Sequence, residues 1–513
     1  NTDLTFDFGF IAYDYGDLPT GFPTTDAETG AHHSIIPGMF LGKGADSETD
    51  GSHEDRSGFD GIGGDDNTIS DFTEGTLTGT SDEDGVEFIT PMVPGYEACV
   101  RVTHSLISGT GVLNAWIDFN GDGDFENDND EQLIFTKVNG SNITPTTEGE
   151  MPAGSMIVQE FCFNVPVTAT FDGGETHVRF RFSEDGNTTP EGFAVGGEVE
   201  DYWMNFAKVG NYVWYDANHD GLQDESLDDG FNDITVKLLW AGEDEIFNTG
   251  DEKTYETKTE NILGTDGKYC FIGLTKDMNY RLTADTPDGY RPTKNMNTGS
   301  NLNDSNAPMV EFAVNDPLND QPVGEDSRGD EPGTTNNFPD EQDNLTFDFA
   351  FTAFDYGDLP DEFNTADAND GAYHVINKGM YLGSGVDSDD DGAPMPRAGF
   401  DNIDGDDLNA SDYTEGSVVN DDEDGINFIS PIIPGQEACI EVTSVVSNAL
   451  GVLNMWIDFN GDGNFDGDLN EKVEFTKADN NSITPTVNAD IPNGTVTQTL
   501  CFDVPSDAVL EGG

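Results

Sequence analysis

The chain repeats itself over a very long period. The run WIDFNGDGDFENDNDE at 116–131 returns as WIDFNGDGNFDGDLNE at 456–471, and DLTFDFGFIAYDYGDLP at 3–19 returns as NLTFDFAFTAFDYGDLP at 344–360. The two offsets are 340 and 341 residues. Cys99 and Cys162 come back as Cys439 and Cys501. A period this long, with charged loops kept in step, is the mark of a tandem array of whole domains. The 513 residues hold about one and a half periods. The expectation is a window onto a longer, polymer-like protein whose function is read from its repeating unit.

Charge narrows the partners. There are 102 acidic residues against 20 basic ones, a net charge of -82. Nucleic acid and anionic membrane surfaces would be repelled. No run of 18 apolar residues is present, so no membrane-inserting helix is expected. The 34 Phe, 14 Tyr and 5 Trp sit in alternating apolar stretches and argue against a disordered acidic chain. A halophile surface would scatter its acids. Here they cluster beside Gly and Asn in loops, and the clusters recur. Packed carboxylates repel one another unless a cation neutralises them, and calcium suits an all-oxygen ligand set.

The secondary structure reads as almost all β. EACVRVTHSL, THVRFRF, NDITVKLLW, GKYCFIGL and YRLTAD alternate and are separated by Gly, Asn, Asp and Pro turns. Many short strands per domain predict an array of β-sandwiches with calcium-binding loops. One acidic β domain is expected over 11–207 and a second domain over 208–351, with 313–343 as a long polar surface loop. The first domain type restarts over 352–513. The Cys pair sits in strand-like text in both copies. It reads as Cys99–Cys162 and Cys439–Cys501 disulfides in an oxidising, extracellular setting, with pairs of buried thiols as the alternative. Cys270 stands apart from both pairs and reads as a small core residue rather than an interchain link.

Three loops carry the strongest chemistry. In Asp216-x-Asn218-x-Asp220-Gly221, side-chain oxygens at positions 1, 3 and 5 wrap one cation while Gly permits the turn. The Leu222 carbonyl, Asp224 and Asp228 or Asp229 would complete the shell. Asp118, Asn120 and Asp122 repeat the logic, with Glu131 as the closing ligand. Asp458, Asn460, Asp462 and Glu471 are their equivalents. Weaker clusters are Asp65, Asp66, Asp82, Glu83 and Asp84, with counterparts at Asp406, Asp407, Asp422, Glu423 and Asp424. Asp14 and Asp17 with Glu200 and Asp201 form another, as do Glu243, Asp244, Asp251 and Glu252. Each of these reads equally well as a solvated loop. No nucleophile elbow or HExxH is present, and no enzyme is expected.

Two resemblances add to this reading. VGNYVWYDANHDGLQDESLDDG, TDGKYCFIGL, YRLTADTPDGYRPT, NDSN and NLTFDFAF resemble the B-type repeats of staphylococcal serine–aspartate surface proteins, relatives of the collagen-adhesin B fold. The resemblance implies that NTDLTFDFGF at 1–10 is the last strand of a preceding B-type domain. An intramolecular Lys237–Asn344 isopeptide bond, found in some collagen-adhesin B domains, is not expected. GEVEDYW at 197–203, DYGDLP, LGKGADSETDG, SDEDGV and WIDFNGDGDF resemble the family named for its GEVEDY ending. Such domains occur in very large secreted proteins of Bacteroidota that usually leave the cell by the type IX system. By that resemblance the second copy stops short of its closing strands, and an isolated 1–513 piece would expose unpaired edges and aggregate.

The reading that follows is a calcium-stiffened stalk or fibre within a giant extracellular surface adhesin or appendage filament. Its partners are neighbouring repeats, further copies in a homo-oligomeric filament, and other cell surfaces or glycans. The alternative is a carbohydrate- or cell-surface-binding module.

Overall fold

The structure is a computed structural model that describes residues 10–45, 47, 50–51, 53, 83–125, 131–171, 175–186, 188–223, 230–275, 278–287, 290–293, 305–314, 343–345, 347–357, 359–377, 379–386, 388, 424–447, 450–465 and 471–509. Most of 1–10 and of the 313–343 segment lies outside this range. The protein is an all-β tandem array of sandwiches. Among the described residues the helical pieces are single 3-10 turns such as Asp26–Glu28, and no helix is long and apolar enough to cross a membrane.

The first unit contains β1 (Tyr13–Tyr15), β2 (His32–Ser34), β3 (Met39–Leu41), β4 (Val86–Phe88), β5 (Glu97–Ile117), β6 (Phe135–Val138), β7 (Ser141–Thr146), β8 (Gly149–Asn164), β9 (Glu175–Ser183), β10 (Phe193–Ala194) and β11 (Glu198–Asn205). Its main sheet runs β11-β9-β5-β8-β6-β7, with β3 and β4 also pairing β5, and a small β1-β2-β10 sheet accompanies it. Strand β5 organises the unit. Its period-2 text turns Ala98, Val100 and Val102 into the core and Cys99 and Arg101 away from it. Val112–Ile117 then pair with β9.

The middle unit is a two-sheet sandwich. One sheet runs β15-β16-β12-β21-β18, with β20 also beside β12: β12 (Ala207–Tyr215), β15 (Glu260–Ile262), β16 (Thr265–Leu274), β18 (Arg291–Pro292), β20 (Asp343–Asn344) and β21 (Phe349–Thr352). The other runs β14-β13-β17-β19: β13 (Thr235–Trp240), β14 (Lys253–Lys258), β17 (Met278–Ala284) and β19 (Met309–Val314). Val213, Leu238, Tyr280, Phe312 and Phe349 fill the space between them. Lys237 lies in the second sheet and ion-pairs with Asp285, whereas the backbone of Asn344 aligns with Val209 of the first sheet.

The third unit repeats the first with β22 (Phe354–Tyr356), β23 (Tyr373–Val375), β24 (Met380–Leu382), β25 (Ile426–Phe428), β26 (Glu437–Val446), β27 (Gly451–Leu453), β28 (Phe475–Ala478), β29 (Asn481–Thr486), β30 (Ala489–Ile491) and β31 (Gly494–Asp503). Strands β26 and β27 lie in the stretch equivalent to β5.

The junctions are short and packed. Phe206 alone separates β11 from β12, and Ala353 alone separates β21 from β22. At the first junction the Tyr96 hydroxyl accepts from Glu256 N–H at 2.8 Å, and Met92 N–H donates to the Gly273 carbonyl at 2.8 Å. Arg101 gathers Glu87, Glu160 and Glu243, the last across the junction at 2.7 Å. At the second junction Tyr215, Ala353, Ile376 and Val386 form a small core of their own, and Arg291 donates to the Tyr356 hydroxyl at 3.2 Å.

Candidate metal sites

In the first copy of the repeat the acidic loop hangs from the end of β5. Asp118 follows Ile117, and its carboxylate accepts from Gly121 N–H at 2.6 Å and Gly123 N–H at 3.0 Å. Both glycines hold a positive φ, 75° and 85°, which a side chain would strain. The Trp116–Gln132 bridge and the Ile117 N–H bond to the Glu131 carbonyl bring the far end of the loop back beneath the near end. As a result, carboxylate oxygens of Asp118, Asp122 and Glu131 lie within 4.8 Å of one another. Asp118 and Glu131 are fully buried. Burial holds the Asp118 carboxyl above its usual range, against the lowering effect of the Gly123 and Gly121 N–H groups.

The second copy reproduces this. Asp458 accepts from Gly461 and Gly463 at 2.6 and 3.1 Å, Ile457 N–H meets the Glu471 carbonyl, and Asp458, Asp462 and Glu471 cluster within the same 4.8 Å limit. Asn120 and Asn460 bond within the turn. Their side-chain oxygens accept from Asp122 and Asp462 N–H, and their amides donate to those carboxylates. They shape the turn in this structure.

In the middle unit Asp216 is fully buried and accepts from Gly221 N–H at 2.9 Å and from the Thr293 hydroxyl. Asn218 and Asp220 accept from Asp220 and Leu222 N–H. Asp224, Asp228 and Asp229 lie outside the described residues, as do Asp65, Asp66, Asp82, Asp406, Asp407, Asp422 and Glu423.

The weaker clusters differ among themselves. Asp84 ion-pairs with Lys43, and Glu243 reaches Arg101. Asp251 and Glu252 accept from Thr249 and Gly250 in an exposed hairpin tip. Asp14, Asp17, Glu200 and Asp201 are not solvated; Asp14 lies on β1, Glu200 and Asp201 lie on β11, and Asp17 lies in the loop after β1. All are buried, and Arg179 grips Asp201 through two bonds of 2.8 and 2.7 Å. Sequence reading missed Arg179 and Arg181. In THVRFRF, Phe180 and Phe182 face the core, so the arginines fall on the other face. That face is covered by the β1-β2-β10 sheet, and both guanidiniums are buried.

Arg181 donates to His33 Nε2 at 3.0 Å, and His33 Nδ1 donates to the Gly196 carbonyl at 2.8 Å. Burial, then the Arg181 charge, pushes the His33 pKa well below its usual value. A histidine held neutral in the folded state takes up a proton on unfolding. Its contribution is therefore present above the unfolded pKa of about 6.5 and is lost as pH falls below it, by at most about 1.4 kcal/mol per pH unit. We expect the first unit to melt lower at pH 5 than at pH 7, and His33→Gln to flatten that slope. A slope unchanged in the variant would remove His33 as its cause.

Sandwich units in tandem, acidic loops at strand ends and linkers of one residue define the class of the protein. Comparison with known proteins then gives its family make-up. The SdrD B-like domain family matches residues 207–325 and the GEVED domain family matches 112–205 and 452–509. The chain carries an SdrD B-like domain flanked by GEVED domains. It is 37% identical over 113 residues to serine-aspartate repeat-containing protein D of Staphylococcus aureus (strain Newman), covering 22% of this chain and 8% of that protein. It is 33% identical over 108 residues to serine-aspartate repeat-containing protein F of Staphylococcus epidermidis (strain ATCC 12228 / FDA PCI 1200), covering 21% of this chain and 6% of that one. The chain thus spans less than a tenth of the length of these relatives. Domains D2 and D3 of the major pilin SpaD from Corynebacterium diphtheriae overlay 52% of this chain and 98% of their own at 9% identity, with a TM-score of 0.25.

Proposed function

We propose that the chain is a calcium-stiffened repeat segment of a giant extracellular surface adhesin or appendage filament, acting as a stalk or fibre. The observation that carries this reading is the duplicated carboxylate trio, Asp118/Asp122/Glu131 and Asp458/Asp462/Glu471, with the same pair of glycine N–H bonds to the first Asp in both copies. Unit charges 4–5 Å apart repel by roughly 3–4 kcal/mol at an effective dielectric near 20. Two of the three groups are held inside the protein in the first copy. A hard divalent cation bound by oxygen ligands converts that repulsion into a clamp between the strand end and the loop's return. Asp216, Asn218 and Asp220 supply the same ligand types in the middle unit.

The junctions support stiffness independently of any ion. Single-residue links between strands leave little chain to act as a hinge. Cation removal is therefore expected to loosen the loops and leave the junctions engaged.

Thermal melting and small-angle scattering, with calcium and after EGTA, test the proposal. EGTA should lower the melting of both flanking units by several degrees. Glu131→Gln combined with Glu471→Gln should abolish the difference. Identical melting and scattering with and without EGTA would refute the calcium reading.

A further inference from the structure

Four Asn-Gly pairs occur in the chain, at 120–121, 139–140, 460–461 and 493–494. An Asn side chain that precedes Gly is open to attack by the next backbone nitrogen, because no Cβ shields that nitrogen. The attack needs a Gly N–H free of any acceptor and a polarised side-chain carbonyl. The fold meets both conditions at one pair.

Gly121 N–H donates to Asp118 and Gly461 N–H to Asp458, each at 2.6 Å. Deprotonating either nitrogen would set a new negative charge against a carboxylate. The side-chain amides of Asn120 and Asn460 are also engaged with Asp122 and Asp462. Gly494 stands opposite Val446 in the β26–β31 ladder. Thr443 turns its own backbone bonds toward Gly383 and Gly425, so by alternation Val446 and Gly494 are a hydrogen-bonded pair.

Asn139 and Gly140 form the exposed two-residue loop between β6 and β7. Their φ angles of 48° and 71° are those of a type I′ turn. Gly140 N–H has no acceptor among the described residues. Asn139 is pinned to β8. Its N–H donates to the Glu160 carbonyl and its Oδ1 accepts from Glu160 N–H, both at 2.9 Å. The second bond polarises the side-chain carbonyl and holds the oxyanion that attack creates. The second copy carries Asp479 at this position. Its φ is 49°, and its carboxylate accepts from Thr499 N–H at 3.0 Å.

We propose that Asn139-Gly140 is a self-modification site, where the folded chain deamidates to the aspartate that the second copy carries. Gly140 N loses its proton to solvent and bonds to Asn139 Cγ. The Nδ2 group takes up a proton and leaves as ammonia, and a succinimide closes. Water then opens the ring. Entry at Cγ breaks the new C–N bond and leaves an aspartate in a normal chain. Entry at the backbone carbonyl leaves isoaspartate, whose main chain is one carbon longer. A two-residue loop between the paired Val138 and Ser141 does not accommodate that extra carbon. The new carboxylate keeps Glu160 N–H as a charge-assisted partner and ties the hairpin more firmly to β8.

The test ages the whole 1–513 protein in warm, mildly alkaline buffer and maps its peptides by mass spectrometry, with an isoaspartyl methyltransferase assay for the branched product. Asn139 should convert at least about tenfold faster than Asn120, Asn460 and Asn493. Aspartate should be the main product, whereas a free peptide of residues 135–148 should give mainly isoaspartate. Gly140→Asn copies the second copy's loop and places its Cβ in open space. It should fold and slow the conversion. Asn139→Asp should melt no lower than the parent. Conversion no faster at Asn139 than at the other three pairs would overturn the proposal. So would isoaspartate as the main product of the folded chain, or an unchanged rate in Gly140→Asn.

Discussion

Arg179→Ala is expected to unfold the first unit at temperatures where the other two remain native. Arg179 and Asp201 are both fully buried and joined by two parallel bonds of 2.8 and 2.7 Å. The same guanidinium donates to the Pro190 and Pro23 carbonyls at 2.9 and 3.3 Å. Removing it leaves the Asp201 carboxylate in the interior with only the Asp17 and Leu18 N–H groups as donors among the described contacts. Breaking a buried ion pair from one side costs about 3–5 kcal/mol. At about 2–4 °C per kcal/mol for a unit of this size, its melting temperature should drop by roughly 10 °C or more. Gly16 tests the same lid from the other side. A Cβ there would sit 2.5 Å from both the Arg179 guanidinium and the Asp201 carboxylate, so Gly16→Ala should also destabilise the unit. Calorimetry resolves the units, and replacing Arg179 and Asp201 together with Met and Leu should recover much of the loss. If Arg179→Ala melts like the parent, the buried pair does not hold the closing hairpin.

Reduction is expected to produce the second large effect, divided among the units in a characteristic way. Cys99 stands opposite Cys162 in the β5–β8 ladder, and Cys439 stands opposite Cys501 in the β26–β31 ladder. Both pairs are disulfides, spanning sequence separations of 63 and 62 residues. A cross-link closing a loop of that length stabilises by about 4 kcal/mol in the chain-entropy account. The middle unit contains only Cys270 and serves as an internal control. Reductant, or Cys99→Ser with Cys162→Ser, should lower melting of the affected flanking unit by roughly 10 °C and leave the middle unit unchanged. An equal loss in all three units would trace the effect to something other than these bonds.

Much of this was legible in the chain because it depends on local chemistry or on the repeat. Period-2 alternation in EACVRV places Val100 and Val102 inside wherever the strand ends up. The Asp-x-Asn-x-Asp-Gly turns close on their own backbone N–H groups, since the geometry is set within six residues. The long offset marked Glu131 and Glu471 as companions of the turns, although only strand pairing brings them within reach.

What the tertiary structure decided is which faces are covered. Alternation assigns Arg179 and Arg181 to the face opposite Phe180 and Phe182, but it cannot say that a second sheet lies over that face. Glu200 and Asp201 therefore read equally well as solvated charge or as a metal site, when they are buried on a strand. The end of β27 is a further example. Strand β5 runs on to Ile117 beside β9, whereas β27, in closely matching text, ends at Leu453. Backbone hydrogen bonds across a sheet belong to two segments at once, and the text of one segment cannot supply the other.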